Sequence, residues 1–378
     1  MIIPSRLQLR EIRLPLREPF RISSGTTMVR RALVVRLEDQ DGAGGWAECV
    51  AGGHPTYSPE TVETAWLAIR EWIAPLVLGH PFAAPADIYP HLEESIRGHR
   101  MARAAVEMAA WDLAARRTGL SLSTALGGTR SQVEVGISLG LQQTPDRLAA
   151  LAAEAIGAGY RRVKIKIAPG RDIEDVAAAR GAIGDDFPLS ADANAAYRPE
   201  DTDHLRRLDA FGLVMLEQPL DHEDLVRHAV LRRTLATPLC LDESISSPER
   251  AADLIALKSA DIINVKPGRV GGLAASLAIH ELGMHHGIPM WCGGMLETGI
   301  GRAHNVALAS LPGFELPGDL SPSARYWERD IVDPEWTMRD GTLEVPQDRP
   351  GIGVEIDTDF LHHCTVRHEE LVAQTSTP

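Results

Sequence analysis

Five charged residues recur through the middle of this 378-residue chain at nearly constant spacing: Lys166 in "RVKIKI", Asp192 in "SADAN", Glu217 in "LEQP", Asp242 in "CLDES" and Lys266 in "NVKPG". The separations are 26, 25, 25 and 24 residues. Any one of these charges, read alone, is an ordinary surface or ion-pair residue; the regular interval is what argues for a site. Three carboxylates brought together repel one another and resist ionisation unless a cation lies among them. Hard oxygen donors with no His or Cys beside them suit Mg²⁺, with Mn²⁺ or another divalent ion able to substitute. An amine beside a dication or a second ammonium gives up its proton more readily and can serve as a base. Two such amines, Lys166 and Lys266, flank the carboxylates in strand order. Together they could take a proton from one face of a carbon next to a metal-held carboxylate and return one to the other face. The expected chemistry is therefore proton transfer α to a carboxylate, with racemisation as its simplest outcome.

The elements that would carry these groups can be read from residue 133 onward. "VEVGISLG", "RVKIKI", "PLSADAN", "LVMLEQPL", "PLCLDESI", "IINVKPG" and "IPMWCGG" read as strands, each followed by a helical stretch, and "FELPGDL" at 314–320 could close the set. Strands alternating with helices of this length imply parallel βαβ units. Seven or eight units in about 200 residues favour a (β/α) barrel over an open sheet. Gly-x-Gly-x-x-Gly does not follow the first strand, which removes the main support for a dinucleotide-binding sheet. One βα unit between successive charges puts each at the same height, near the carboxyl ends of the strands, where barrel enzymes carry their sites. In "VKIKI" the apolar Val163, Ile165 and Ile167 share one face of the strand and Lys164 and Lys166 the other. The apolar face suits the helical shell, so both lysines are expected to point into the barrel.

The remainder divides around this core. Residues 1–128 carry strand-like "RALVVRLED" and "GWAECV" with helical "PETVETAWLAIREWIAPLVLG" and "RMARAAVEMAAWDLAARRTG", an α+β unit distinct from the barrel at 129–325. Residues 326–378 lack the barrel rhythm and are expected to return to the first unit. A net charge of −14 disfavours nucleic-acid or anionic-membrane partners. No apolar run is long enough to span a bilayer. The opening "MIIPSRLQLREIRLPL" reads as a strand rather than a signal peptide, and four scattered cysteines without a CxxC pair fit a reducing cytoplasm.

Other residues are weaker candidates. Lys164 serves equally as lumenal support or as a substrate contact. Asn194 shares the face of Asp192 and either orients a ligand or belongs to turn chemistry. "WCGGMLETGIG" fits a close-approach loop better than a phosphate cradle, and the His285–His286 pair fits a helix end better than a metal site.

The motifs "KIK" at 164–166, "DAN" at 192–194, "EQP" at 217–219, "DES" at 242–244 and "KPGRVGG" at 266–272 resemble the enolase superfamily, muconate-lactonising subgroup, over nearly the whole chain. A lysine base beside Mg²⁺ is established chemistry of that superfamily. Within the subgroup, "VGISLG", "WCGGMLETGIGRAHN" and "LPGDLSPSARYWERD" are similar to N-acylamino acid racemases, which often double as o-succinylbenzoate synthases. The resemblance implies an α/β fold, a modified TIM barrel of (β/α)7β type with an N-terminal α+β capping domain. It implies Asp192, Glu217 and Asp242 as Mg²⁺ ligands and Lys166 and Lys266 as the acid/base pair. In a synthase Lys166 would remove the proton and then protonate the departing hydroxide, with Lys266 a stabilising cation. Ser138 and Lys164 would touch the substrate carboxylate, and loops "EPFRISSGTT" and "VAGGHPTYS" would close over the substrate. Phe20 and Tyr57 are the candidates there, as contacts or as packing residues, joined by Gly293, Gly294 and Met295 from the seventh unit. A homo-oligomer, often an octamer, is likewise only implied.

One departure narrows the substrate. Dipeptide epimerases of this subgroup hold a substrate ammonium with Asp-x-Asp after the eighth strand; here "GDLSPS" places Ser321 at the second aspartate. An N-acylated substrate is favoured over a free amine, which weighs against an epimerase; a cycloisomerase is a further alternative within the subgroup. A Schiff-base aldolase would leave the three carboxylates unexplained, and a cation-dependent solute-binding protein would leave the lysine pair unexplained.

Overall fold

The computed structural model describes residues 1–23 and 25–373. Seven short strands, Gly136–Leu139, Arg162–Lys166, Leu189–Asp192, Met215–Glu217, Leu239–Leu241, Ile262–Val265 and Met290–Cys292, pair in parallel in chain order. Residues 314–319 supply the eighth stave. Phe314 bridges in parallel to Met290 and Gly318 to Val135. The Asp319 amide donates to the Cys292 carbonyl at 3.0 Å, and the Gly136 amide to the Gly318 carbonyl at 2.7 Å. The sheet thus closes between its first and last members. Seven helical connections run outside it, from Pro145–Gly157 to Gly299–Ala309, giving the (β/α)7β arrangement.

Strand alternation sorts the side chains as the apolar pattern requires. Val163, Ile165 and Ile167 are fully buried. Lys164 reaches Asp319 on the far side of the seam at 2.6 Å, which only a lumenal side chain can do. Helix starts carry matching caps: Thr144 accepts from the Arg147 amide and Ser247 from the Arg250 amide.

The second unit is a four-stranded antiparallel sheet, with Thr365–Val372, Pro4–Ile22, Gly25–Asp39 and Gly44–Cys49 side by side. Helix Arg100–Thr118 lies between this sheet and the barrel, which explains why most of its residues are buried. Its approach to the sheet is close: a Cβ on Gly45 would stand 2.2 Å from the Ala109 carbonyl oxygen. On the barrel side, Glu107 accepts from the Leu273 and Ala274 amides at 2.8 Å, a carboxylate at the start of helix Leu273–His286.

Two expectations change in detail. "EPFRISSGTT" is the tip of a hairpin rather than a loop: Phe20 pairs with Thr27 and Ile22 with Gly25, because its β-branched and aromatic residues suit strand pairing. Ser24 of that stretch lies outside the described residues, as do residues 374–378. Residues from 326 onward serve both units. Thr342–Glu344 pairs with Gln132–Glu134 beside the first barrel strand, while Thr365–Val372 pairs with Pro4–Ile22. Among the described residues no helix is long and apolar enough to cross a membrane.

Candidate active site

Lys166, Asp192 and Glu217 are the last residues of their strands, and Asp242 and Lys266 follow theirs by one position. All five therefore stand on one rim. Each carboxylate and its neighbours are almost wholly buried, so every charge there needs a partner. The partners are specific. Lys166 donates to Asp192 at 2.5 Å and Lys266 to Asp242 at 2.8 Å. Lys164 lies 3.0 Å from Glu217 and 3.3 Å from Asp192. The hydroxyl of Tyr57 donates to Asp242 at 2.8 Å, and Arg269 also bonds that carboxylate.

Electrostatics on this rim follow from burial and proximity. Burial pushes the Glu217 carboxyl up, the Asp192 charge adds to it, and the group reaches about 7 despite Lys164. For Asp192, burial is outweighed by Lys166 and Lys164, and the carboxyl is held well below its usual range. Burial would likewise lower Lys164 and Lys266, but the carboxylates around each win and both are raised, Lys164 chiefly by Asp319 and Lys266 by Asp242. Both are held as ammonium ions by their neighbours.

Among the described residues no three His, Cys, Asp or Glu side chains surround one point in ligating geometry. The three candidate carboxylates are instead divided among Lys164, Lys166, Lys266 and Arg269. The donor set nevertheless fits a hard dication: it is all oxygen, its members raise one another, and two adjacent oxygens, Asn194 Oδ1 and Glu243 Oε2, are buried without a partner.

A cavity of about 240 Å³ opens over the rim. Of the candidates, Lys166, Lys266, Asn194, Phe20, Tyr57, Gly294 and Met295 line it. Ser138, Lys164, Gly293 and the three carboxylates Asp192, Glu217 and Asp242 do not. Ser138 pairs in register with Lys164 and its buried hydroxyl has no partner. Lys164 is committed to Asp319 and the carboxylates. Gly293 backs Lys266: a Cβ there would stand 2.6 Å from Lys266 Cε and 2.3 Å from Asn264 Oδ1, so the glycine is needed for close approach. His285 and His286 are exposed at the end of helix Leu273–His286, with rings edge to face, and do not line the cavity.

Several residues at the site escaped the sequence reading. Glu243 follows Asp242, accepts from Asn194 Nδ2 at 3.1 Å, and is pushed up to about 8 by burial and then by Asp242 and Asp192. Asn264, two residues before Lys266 and thus on its face, donates to Glu217 at 2.7 Å; that spacing was the available signal. Arg269 lies within "KPGRVGG". Asp319 arrives from the closing stave, bound to Lys164 and 3.4 Å from Arg162.

Comparison with known proteins places this geometry in context. Residues 6–127 match the sequence model described as mandelate racemase / muconate lactonizing enzyme, N-terminal domain, and residues 147–360 the one described as enolase C-terminal domain-like. An o-succinylbenzoate synthase of Geobacillus kaustophilus is 47% identical, covering 98% of this chain and 97% of its own. An N-succinylamino acid racemase of an Amycolatopsis species is 45% identical over 96% of this chain and 97% of its own. A crystal structure of an enolase superfamily member from Listeria innocua superposes with a TM-score of 0.95 at 39% identity, covering 99% of this chain and all of that one.

Proposed function

Since the chain belongs to the enolase superfamily, with both domains of its mandelate racemase / muconate lactonizing enzyme family, we propose that it is an N-succinylamino acid racemase, an o-succinylbenzoate synthase, or both. The shared step is removal of a proton α to a carboxylate to give an enediolate of the substrate. The observation that carries this reading is that Lys166 and Lys266 line one cavity from opposite ends of a rim that holds Asp192, Glu217 and Asp242 between them.

The residue roles follow. Asp192, Glu217 and Asp242 would hold Mg²⁺, whose charge offsets the negative charge that builds on the substrate carboxylate. Lys166 accepts the α-proton from one face. In racemisation Lys266 delivers a proton to the opposite face; in the synthase reaction it stays cationic beside the enediolate, and Lys166 protonates the departing hydroxide. Lys164 lies beneath the rim, where its pairing with Asp319 and Glu217 holds those carboxylates in place. Phe20 and Tyr57 wall the cavity from the capping unit.

An N-acylated substrate is favoured on a specific ground. Asp319 is occupied by Lys164 and Arg162, and Ser321 replaces a second acid, so no free carboxylate pair awaits an ammonium. Incubation with Mg²⁺ and N-succinyl or N-acetyl amino acids in deuterated water should give α-deuteration and loss of optical activity. Absence of exchange with these, together with no turnover of the o-succinylbenzoate precursor, would overturn the assignment.

A further inference from the structure

Gln218 follows Glu217 directly and sits among the rim carboxylates without lining the cavity. It is fully buried. Its φ is 38°, in the left-handed region that few residues other than glycine adopt. Pro219 comes next and restricts the backbone before it still further. Glutamine has no intrinsic preference for such a position, so the surroundings of its side chain must hold it there.

The side chain makes contacts that glycine could not. Its Oε1 accepts from the Asp242 amide at 3.1 Å and from the Ser244 amide at 3.2 Å. Its Nε2 donates to Ser244 Oγ at 2.7 Å and to the Leu220 carbonyl at 3.2 Å. The Gln218 amide donates to the Cys240 carbonyl at 2.9 Å, and the Gln218 carbonyl accepts from the Ala195 amide at 2.8 Å. One residue beside Glu217 thus bonds the turns that follow Asp192 and Asp242.

The three carboxylates differ in how the sheet holds them. Asp192 pairs in register with Lys166 and Glu217, and Glu217 with Asp192 and Cys240. Asp242 lies one residue past strand Leu239–Leu241, beyond the register that this strand shares with Ile262–Val265. A side chain, that of Gln218, receives its amide instead.

We propose that Gln218 is a positioning residue for the divalent ion, its side-chain amide fixing Asp242 relative to Glu217 so that both carboxylates can face one cation. This rests on the metal site of the function proposed above and names the residue that sets the spacing within it.

Two variants separate positioning from packing. Gln218→Met keeps length and burial but leaves the Asp242 and Ser244 amides without their acceptor. Gln218→Asn keeps a polar amide, suits the left-handed backbone better, and stops one methylene short of both partners. Mg²⁺ affinity is read by calorimetry without substrate, beside urea unfolding of the same samples. Each variant should bind Mg²⁺ roughly 10–100-fold more weakly, the usual effect of losing a group that orients a metal ligand. Should Gln218→Met fail to fold, Gln218→Asn decides the matter alone. Parent-like Mg²⁺ affinity in a folded variant whose unfolding midpoint alone has dropped would overturn the proposal, because a residue that only stabilises the fold gives that result. An unaltered protein that binds no Mg²⁺ would instead remove the metal site itself, and the role of Gln218 with it.

Discussion

The Lys266 ammonium donates to the Tyr57 hydroxyl at 3.1 Å and lies 4.7 Å from the centre of the Tyr57 ring. A residue of the capping unit therefore touches the amine that the barrel presents. Tyr57 also donates to Asp242, so one hydroxyl serves both members of the Lys266–Asp242 pair. Tyr57→Phe keeps the ring and loses both bonds. Its kcat/KM should fall at least about tenfold, since a single lost hydrogen bond to a charged group is worth that much. Tyr57→Ala, which also opens the cavity wall, should lose more. Steady-state kinetics on both variants decide this; equal effects would assign the contribution to the hydroxyl alone.

The two lysines are expected to differ by face. Lys166→Ala and Lys266→Ala should each lower racemisation by roughly 10²–10⁴-fold, the usual contribution of a positioned acid or base. Each should also retain deuterium wash-in from only one enantiomer, followed by NMR. If one variant exchanged both enantiomers at comparable rates, a single base would suffice and the two-face scheme would be wrong.

Divalent-ion binding should depend on pH through Glu217. Without metal, burial and the Asp192 charge hold this carboxyl near 7. Below that value an incoming ion must displace a proton, so affinity should weaken by up to about tenfold per pH unit on the acid side and level off above it. Calorimetry in buffers of different ionisation enthalpy should register proton release at pH 6 and little at pH 8.5. Glu217→Gln should flatten the pH dependence and weaken binding throughout.

His304 makes a separate prediction about stability. It is fully buried in helix Gly299–Ala309 and pairs with the Trp46 carbonyl across to the capping sheet. Burial depresses its pKa to about 4, below the ~6.5 of an unfolded chain. The unfolded state therefore binds the extra proton first. Stability is intact above about 6.5 and is lost as pH falls from there toward 4, reaching a loss of about 2 kcal/mol at pH 5. Urea unfolding at pH 7 and pH 5 should show this loss, and His304→Gln should reduce it.

Gly293→Ala tests how tightly Lys266 is confined. The added methyl would meet Lys266 Cε and Asn264 Oδ1 at distances no real Cβ tolerates, and both would have to shift. Activity should drop at least roughly tenfold, because small misplacements of a reacting group are expensive. Circular dichroism should remain that of the parent. An active variant would mean that Lys266 has more freedom than the structure gives it.

Much of this protein was legible in its residues because a βα repeat consumes nearly constant chain length. Equal spacing of Lys166, Asp192, Glu217, Asp242 and Lys266 therefore translates directly into equal height on a barrel rim. Alternation within a strand did the rest, sending Val163, Ile165 and Ile167 outward and Lys164 and Lys166 inward. Local pattern could not determine which charge would meet which. Asp319 reaches Lys164 only because the eighth stave closes against the first, where Gly318 bridges to Val135. Tyr57 and Phe20 reach the cavity only because a separate sheet docks on the barrel mouth. Those partnerships depend on closure and docking, in which residues far apart in the chain are brought together by burial of whole surfaces, and no short stretch of sequence encodes that.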